Sequence, residues 1–482
     1  MKIFSDVSSL AAATLTADQI VKVKSVGDYR IQDSGAGITL ANGKIAVPQA
    51  SGTAISVKQF GAVGDGVTDD TAALQAAIDS NTYDLILPSG TYLINSQINY
   101  TGVGLKGAGK DRTVISCAFA GVQFKKTSST DRTTIQGITF TGNGTNTGFG
   151  SDGSGAGWFR SNIENCRFNN FSTGIDIEDS VLFELSRCDF DCTVYGAHFN
   201  GTYNNNVTLS NCFFRNATDV TNGTGCFINM PSEFEGNNFT FIQCAFDDCR
   251  VGFKAVKARV NLVNCSAENH TTAHFSFDNC DADISGGYLL GEGGTGVSIA
   301  YELDNVSIVT LSGRPRLVDN FLDTLQASNS SRFVSTAPKI PTSSMTVDAT
   351  STVGFLHKQQ FTYTPTVYGA SVTGTGTYSV QSGTYEITGN KVDFSVRVVW
   401  SAHTGSGGMR ISLPVNTQNT SGLRYSYAVY MATATFTGSP IALALENANH
   451  IRIRENVSGG AVTDVSLPSS GELVVTGHYY ID

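Results

Sequence analysis

The acidic side chains that could act on a substrate lie in the middle of the chain. Asp176 and Glu178 are two residues apart, and Glu184 follows shortly after them. Two carboxyl groups held a few ångströms apart can serve as acid and base, or as acid and nucleophile, in hydrolysis of a glycosidic bond. The candidates for these roles are Asp176, Glu178, Glu184, Glu233, Glu235 and Asp248.

Basic and aromatic side chains lie in the same region. His198 or Lys254 could abstract a proton next to a uronate carboxylate while cations neutralise that carboxylate, which is the chemistry of β-elimination. The rings of Trp158 and Tyr203 could stack on the C–H face of a sugar. The residues predicted to contact substrate are Trp158, His198, Tyr203, Lys254 and His274.

Five cysteines fall in one repeating frame, which indicates how the chain is built. They are Cys166, Cys188, Cys212, Cys244 and Cys265, and the steps between them are 22, 24, 32 and 21 residues. A repeat of this length with several short strands is typical of a solenoid, in which each strand pairs with its copy in the next turn. Crossover chirality favours a right-handed coil. The pattern predicts an all-β, right-handed parallel β-helix.

A second strand in the repeat opens with a glycine eight residues after three of these cysteines, at Gly174, Gly196 and Gly252. Alternation along such a strand places Ile175 and Ile177 inside and Asp176 outside. The outward residues of these strands, together with one from a looser copy at 273–275, are Asp176, His198, Lys254 and His274. The irregular segments 141–157 and 216–235 are predicted to wall the two ends of this surface.

The segments that flank the repeat predict further domains. Asp69 or Asp70 can cap a helix that closes the open end of the coil, and Asp65 suits the turn before it. Beyond the repeat, strict alternation over 392–400 predicts an antiparallel β-sandwich. We predict a small N-terminal region at 1–56, a β-helix for catalysis or receptor binding at 57–335, a linker at 336–360, and a sandwich for trimerisation or carbohydrate binding at 361–482.

Composition excludes several classes of protein. The chain has 482 residues and a formal charge of −10, which argues against coating nucleic acid or anionic lipid. Its apolar runs fall far short of the ~20 residues that a membrane span needs. None of the ten cysteines has Cys-x-x-Cys spacing. We therefore expect reduced, buried cysteines, no metal and no cofactor, in a protein made in a reducing cytoplasm.

Three stretches carry a family resemblance: FGAVGDGVTDDT at 60–71, AALQAAI at 72–78 and LPSGTY at 87–92. Together they resemble the entry motif of the pectate-lyase-like β-helix proteins, and within that group the phage tailspikes and capsule depolymerases. The segment 376–414 resembles the terminal sandwich modules of phage tail proteins. The resemblance implies a carbohydrate-directed homotrimer in the virion, attached to the phage tail or baseplate through its N-terminal region.

These observations predict a phage tailspike that binds and depolymerises a bacterial capsule, exopolysaccharide or O-antigen at the cell surface. Hydrolysis is preferred because acids outnumber basic groups among the candidate residues. Two alternatives stay open, a polysaccharide lyase and a non-catalytic receptor-binding fibre. Outward Phe227 and the sandwich are predicted to offer apolar surface for the trimer. We expect neither nucleic acid nor membrane insertion among its interactions.

Overall fold

The chain folds almost entirely into β-strands in the computed structural model. The structure describes residues 1–35, 37–50, 54–80, 84–151, 156–232, 238–291, 299–312, 316–318, 323–335, 345–348, 350–432, 436, 438–456 and 462–481. The contact pattern divides the chain into two compact units. The first comprises Met1–Val309, Pro315–Ser331 and Ser343–Asp348, and the second comprises Thr310–Arg314, Arg332–Thr342 and Ala349–Asp482.

The first unit begins with a small sheet of its own. Its strands are Lys2–Phe4, Ile20–Val23, Gly27–Gln32, Ile38–Thr39 and Ile45–Gln49. A short helix, Val7–Ala11, packs Leu10 against the buried Val21, Val23, Tyr29 and Ile31. This cluster gives the first fifty residues a separate hydrophobic core.

Most of the first unit is a right-handed parallel β-helix of about ten turns. Face 1 consists of Gly90–Ile94, Thr113–Cys117, Thr139–Thr141, Arg167–Ile177, Asp189–Phe199, Phe213–Arg215, Ala245–Asp247, Ser266–Glu268, Tyr288–Leu290 and Arg316–Val318. Face 2 consists of Ile98–Tyr100, Val122–Lys126, Thr147–Ser151, the second halves of Arg167–Ile177 and Asp189–Phe199, then Thr224–Asn229, Val251–Val256, Ala273–Asp278, Ile299–Asp304, Asp323–Ala327 and Met345–Val347.

Face 3 completes each turn. It consists of Ala54–Ser56, Asp84–Leu87, Leu105–Gly107, Thr134–Gln136, Asn162–Glu164, Glu184–Ser186, Val207–Ser210, Asn238–Ile242, Arg259–Val263 and Asp281–Ser285, and the strand Ile308–Ser312 follows. A narrow extra sheet of two-residue strands joins faces 2 and 3 in four turns: Thr130–Asp131, Trp158–Phe159, Ser180–Val181 and Asn204–Asn205. Stacked strands of this kind lie ~4.8 Å apart. The predicted fold class is confirmed.

Ladders of identical side chains fill the interior of the coil. The five framed cysteines are buried and free, as predicted. Phenylalanines stack beside them: the ring centroids of Phe168, Phe190 and Phe214 lie 5.0 and 4.8 Å apart, with planes within 4° of parallel. A repeated sequence therefore repeats its packing from turn to turn.

The turn before each framed cysteine explains why the frame is so regular. Asn165, Arg187, Asn211, Gln243 and Asn264 all adopt left-handed backbone conformations, with φ between 50° and 53°. Asparagine tolerates this region better than most residues. Each backbone N–H continues the hydrogen-bond ladder, as where Asn165 donates to the Ser186 carbonyl at 2.8 Å.

The coil keeps its register across the longest step of the repeat. Residues 216–223 form a corner between the face 1 strand Phe213–Arg215 and the face 2 strand Thr224–Asn229, yet Phe213 still pairs with Ala245 and Thr224 with Val251. This corner displaces neither face.

The predicted cap helix spans Thr71–Ser80, with Leu74, Ala77 and Ile78 buried, and follows a short 3-10 turn, Val57–Phe60, and the strand Asp65–Asp69. The three entry aspartates stabilise backbone turns, as predicted. Asp70 is 1% exposed and accepts hydrogen bonds from the N–H groups of Val63 and Gly64 at 2.6 and 3.0 Å. Asp69 accepts from the Thr71 N–H, and Asp65 accepts from the N–H of Thr68.

The second unit contains two antiparallel sheets. One consists of Thr352–Tyr363, Gly376–Gly389, Lys391–His403, Gly471–Tyr480 and Val429–Ala432, with Arg332–Ser335 parallel to the first of these. The other consists of Val367–Gly369, Met409–Ser412, His450–Asn456, Ser439–Leu445, Arg424–Tyr427 and Val462–Asp464. The alternating residues Val392, Phe394, Val396, Val398 and Trp400 are buried, as the pattern predicted.

Candidate active site

One row of outward side chains on face 2 carries most of the candidate chemistry. Residues on successive turns pair in register, and this His198 row consists of Gly150, Asp176, His198, Phe227, Lys254, Ser276, Glu302, Gln326 and Thr346. Asp176, His198 and Lys254 therefore share one row, as the sequence predicted. Phe227 stands between the histidine and the lysine.

Asp176 and His198 are in direct contact. Oδ1 of Asp176 lies 3.0 Å from Nδ1 of His198, and Nδ2 of Asn200 donates to the same oxygen at 2.9 Å. An ionised carboxylate only accepts hydrogen bonds, so Nδ1 carries the hydrogen and Nε2 holds the lone pair in a neutral imidazole. The aspartate thus orients a ring whose other nitrogen can act as a base.

Two aromatic rings enclose this imidazole. The Tyr195 ring lies 4.8 Å from it at 23°, and the Phe227 ring lies 5.3 Å from it at 19°. On the far side of Phe227, Nζ of Lys254 lies 5.8 Å from the ring centroid. Burial raises the pKa of Tyr195, and the nearby carboxylates Asp219 and Asp176 add to that shift.

Among the described residues, two polar atoms of this cluster have no hydrogen-bond partner. They are Nε2 of His198 and Oδ1 of Asn200, and both are buried. Leaving a buried polar atom unpaired costs about 1–3 kcal/mol. Native structures keep such atoms where a water, an ion or a ligand satisfies them, or where they have a chemical role. The side chain of Asp176 beside them is 37% exposed, which leaves the cluster open to solvent on one side.

His274 does not belong to the row, which corrects the prediction that it faces outward. The structure aligns Ala273 with Val251, so Ser276 takes the place in the row and His274 aligns with Gly252. Its imidazole is fully buried, its Nε2 contacts the Leu290 carbonyl at 2.8 Å, and burial lowers its pKa to about 4.

A ladder of glycines explains the position of His274. A Cβ on Gly174, Gly196, Gly225 or Gly252 would meet the carbonyl oxygen of the next residue in the ladder at 2.6 or 2.7 Å. The last of those carbonyls belongs to His274, where the ladder ends. The looser sequence match at 273–275 was shifted by two residues relative to this ladder.

Trp158 is also buried, so the predicted stacking of its ring on a sugar is wrong. It is 2% exposed, its ring stacks on Tyr100 at 5.8 Å, and Nζ of Lys126 lies 4.7 Å from its centroid. Trp158 opens a two-residue strand of the extra sheet, and the first position of that strand points into the coil.

The other predicted carboxylates lie in different places. Glu178 follows the end of the strand that carries Asp176, and its carbonyl accepts a hydrogen bond from Asn204. Glu184 is exposed on face 3, where it aligns with Asn162 and Thr208. Glu178 therefore lies just past the face 2 strand that carries Asp176, whereas Glu184 belongs to face 3.

The four remaining predicted residues lie outside the His198 row or outside the described residues. Tyr203 is 54% exposed, and its N–H donates to Asp179 at 2.8 Å. Asp248 occupies a left-handed turn with φ of 53° and accepts from Nδ2 of Asn269 at 3.3 Å. Glu233 and Glu235 lie outside the described residues.

A second carboxyl pair lies on face 1. Asp247 and Glu268 pair in register on neighbouring turns. Burial, together with the negative charges of Glu268 and Asp248, raises the pKa of Asp247 to about 6. Asp247 can therefore keep its proton in mildly acidic solution, as a general acid must.

Sequence reasoning missed Tyr195, Asn200 and Glu268. Alternation places Tyr195 on the same side as Ala197 and Phe199, which are buried. The pairing of its strand with the preceding one shifts register before Tyr195, and the Tyr195 side chain is only partly buried, with its ring stacked on that of His198. A register shift leaves little trace in a single sequence. Asn200, in contrast, could have been predicted, because it follows His198 by two residues.

In the part of the chain that the structure describes, no three His, Cys, Asp or Glu side chains form a group suited to a metal ion. Neither described helix has the length and apolar character needed to cross a bilayer.

The chain is a parallel β-helix protein, and the His198 row places titratable side chains side by side on its surface. Residues 54–280 match the family model described as rhamnogalacturonase A/epimerase, pectate lyase-like. This match supports the resemblance to the pectate-lyase-like β-helix proteins that the entry motif predicts.

Short segments of the chain also match curated proteins. The preneck appendage protein of Bacillus phage PZA is 44% identical over 62 residues, which cover 13% of this chain and 7% of that protein. The mannuronan C5-epimerase AlgE4 of Azotobacter vinelandii is 42% identical over 72 residues, which cover 12% of this chain and 13% of the epimerase. The chain thus spans only a small part of the curated relatives it matches.

Solved phage tailspikes share the fold at low sequence identity. The gp42 tailspike of Acinetobacter phage vb_AbaP_AS12 aligns with a TM-score of 0.60 and 13% identity, covering 99% of this chain and 94% of that one. The enzymatically active domain of tailspike protein 2 of bacteriophage CBA120 aligns with a TM-score of 0.52 and 14% identity, covering 98% and 82%.

Proposed function

We propose that this chain is a phage tailspike that binds a bacterial surface polysaccharide and depolymerises it at the His198 row. One observation carries the proposal: Asp176 and His198 form a hydrogen-bonded pair on an outward row of the β-helix, 3.0 Å apart, beside two unpaired polar atoms. The tailspike fold and the polysaccharide named for the epimerase relative support the substrate class.

Hydrolysis is the chemistry we propose first. Asp176, which accepts hydrogen bonds from His198 and Asn200, would activate water as the base, and Glu178 would protonate the leaving oxygen. Glu178 follows Asp176 by two residues, just past the end of its strand. Inverting glycosidases hold their two carboxyl groups roughly 6.5–9.5 Å apart, and this proposal requires the side chains of Asp176 and Glu178 to reach that separation.

β-Elimination is a second candidate, favoured by the position of His198 between Asp176 and the aromatic rings. Nε2 of His198 would take the proton next to a uronate carboxyl group, the electron pair would form a carbon–carbon double bond, and the glycosidic oxygen would leave as an alcohol after gaining a proton from solvent. Lys254, two turns along the same row, would neutralise the carboxylate of the substrate.

A purified panel of capsule, exopolysaccharide and O-antigen from candidate hosts tests the proposal. New reducing ends without ultraviolet absorbance from an unsaturated uronate indicate hydrolysis, and both signals together indicate elimination. Tight binding with neither signal, on a polysaccharide that the parent phage requires, would show a receptor-binding fibre and overturn the proposed activity.

We also propose that the chain assembles as a homotrimer and attaches to the phage tail through its N-terminal sheet. A single coil leaves three faces open to solvent, and side-by-side packing of three coils would cover them. The N-terminal sheet exposes Ile3 and Ile20, at 58% and 46%, which suits a docking surface. The preneck appendage relative supports a place in the phage particle.

A further inference from the structure

The imidazole of His198 lies between two rings that come from different turns of the coil. Tyr195 belongs to the same strand as His198, and Phe227 belongs to the next strand on face 2. Both rings lie within 23° of parallel to the imidazole, and their centroids are 4.8 and 5.3 Å from it. The side chain of His198 is only 14% exposed as a result.

This packing removes a freedom that a solvent-exposed histidine has. Rotation about the Cβ–Cγ bond would carry the imidazole into one of the two rings, which a close-packed environment resists. The ring therefore stays in the orientation that presents Nδ1 to Asp176. Because the tautomer of a neutral histidine follows the hydrogen bond that one nitrogen makes, a fixed ring also fixes the tautomer.

Phe227 has a second effect, because it separates His198 from a cation. The row order places Phe227 between His198 and Lys254, and the ammonium group contacts the ring face at 5.8 Å. The charged and titratable groups that face His198 are then Asp176 from the preceding turn, Tyr195 from its own strand, and Lys254 beyond the Phe227 ring. Asp219 adds a negative charge near Tyr195.

We propose that Tyr195 and Phe227 are positioning residues for His198. They hold the imidazole on Asp176 in the tautomer with hydrogen on Nδ1, and Phe227 keeps Lys254 from approaching it. Neither ring is assigned a proton transfer. The kinetic part of this inference rests on the function proposed above, whereas the structural part does not.

The first experiment measures how well the ring is held, without any substrate. Hydrogen–deuterium exchange at the imidazole C2 position, followed by mass spectrometry, reports the exposure and titration of each histidine. We expect Phe227→Leu to raise the exchange rate of His198 at least about fivefold, and Phe227→Tyr to keep it within about twofold. The matched control is Phe213→Leu on face 1, whose ring contacts Arg215 at 5.7 Å.

The second experiment uses the cleaved polysaccharide. Loss of a positioning ring should lower kcat about tenfold and leave KM within about twofold, because ground-state binding does not use the ring. Phe227→Tyr should restore turnover. Circular dichroism and melting of each variant establish folding, and if Phe227→Leu does not fold, Tyr195→Leu removes the opposite ring and is judged by the same criteria.

The two experiments separate the two proposals. Unchanged exchange at His198 in a folded Phe227→Leu protein, or an equal change in Phe213→Leu, overturns the positioning role. If the wild-type protein cleaves no polysaccharide, the proposed function fails, and the exchange measurement still decides whether the rings hold His198.

Discussion

Asp176 and His198 stand 22 residues apart in the chain, on neighbouring turns of the coil, and their side chains meet at 3.0 Å. Only the register of face 2 brings them together. A slip of one residue between the two turns would place Ile177 or Ile175 opposite His198 and turn the pair apart. The repeat that builds the coil therefore also builds the candidate active site.

Removing the charge of Asp176 should abolish most turnover. We expect Asp176→Asn to lose on the order of 10²- to 10⁴-fold in kcat while still binding polysaccharide, because the amide cannot act as a base and its oxygen accepts the imidazole N–H without the help of a negative charge. Glu178→Gln should lose a similar factor if hydrolysis is the reaction. Glu184→Gln on face 3 is the matched control and should retain turnover. If all three variants keep near-full turnover, the active site lies elsewhere, and Asp247 and Glu268 are the next candidates.

Acid should destabilise the first unit through its buried histidines. Burial lowers the pKa of His274 to about 4 and that of His270 well below its ordinary value of 6.5. Between about pH 4 and 6.5 the unfolded chain binds protons that the folded chain does not, so stability falls as the pH falls. The shift of His274 corresponds to roughly 3 kcal/mol. Urea unfolding across this range should show a shallower pH dependence for His274→Gln, and identical slopes would contradict the argument.

Lys126 should make stability depend on pH at the alkaline end. Its side chain is 1% exposed over the Trp158 ring, and burial lowers its pKa to about 7. The unfolded lysine stays protonated up to about pH 10.5, so folded stability should rise as the pH increases from about 7 to 10.5. Lys126→Met should flatten that rise and gain at least about 1 kcal/mol at pH values near 6. A variant less stable than wild type at every pH would show that the amine is needed for its hydrogen bond to the Ser128 carbonyl.

The cysteine ladder should behave as a set of small apolar side chains. Cys212 is 2% exposed and free, and burial raises the pKa of its thiol. Cys212→Ser should cost roughly 1–3 kcal/mol, because a hydroxyl loses more than a thiol on leaving water. Cys212→Ala tests the cavity contribution alone. Mass spectrometry that finds Cys188 or Cys244 crosslinked to Cys212 in the native protein would disprove the reduced ladder.

The proposed assembly has a direct measurement. Light scattering of the purified chain should give about three times its 51.0 kDa mass. The contacts of Phe227 with His198 and Lys254 mean that this residue contributes to the candidate site rather than to a free apolar patch. Contacts between subunits must then come from other surfaces. A monomeric mass under all salt conditions would remove the trimer from the proposal.

The sequence predicted the coil well because its packing repeats. A left-handed turn, a cysteine and in most copies a phenylalanine recur in one frame, and each copy reinforces the same register. The cap helix and the turn roles of the entry aspartates followed from local patterns. The predicted boundaries at 56, 335 and 360 stay predictions.

The candidate site was harder to predict because it depends on departures from the repeat. His274 was misplaced since a looser copy of the strand gave a register shifted by two residues. Trp158 was misplaced because nothing in the sequence marks the extra sheet that turns its ring inward. Tyr195 was missed because alternation groups it with the buried Ala197 and Phe199. Asp176 and His198 were found because their strands follow the repeat without irregularity.

The long step between Cys212 and Cys244 shows that the length of a corner segment can change without changing the strand pairing of the coil. The faces keep their pairing while the corner between them carries extra residues. A corner segment can thus be lengthened, shortened or exchanged at little energetic expense, since loop closure grows only slowly with length. We expect related chains to differ most at these corners. If the proposed function holds, exchange of corner loops would change which polysaccharide is recognised and leave the folding of the coil intact.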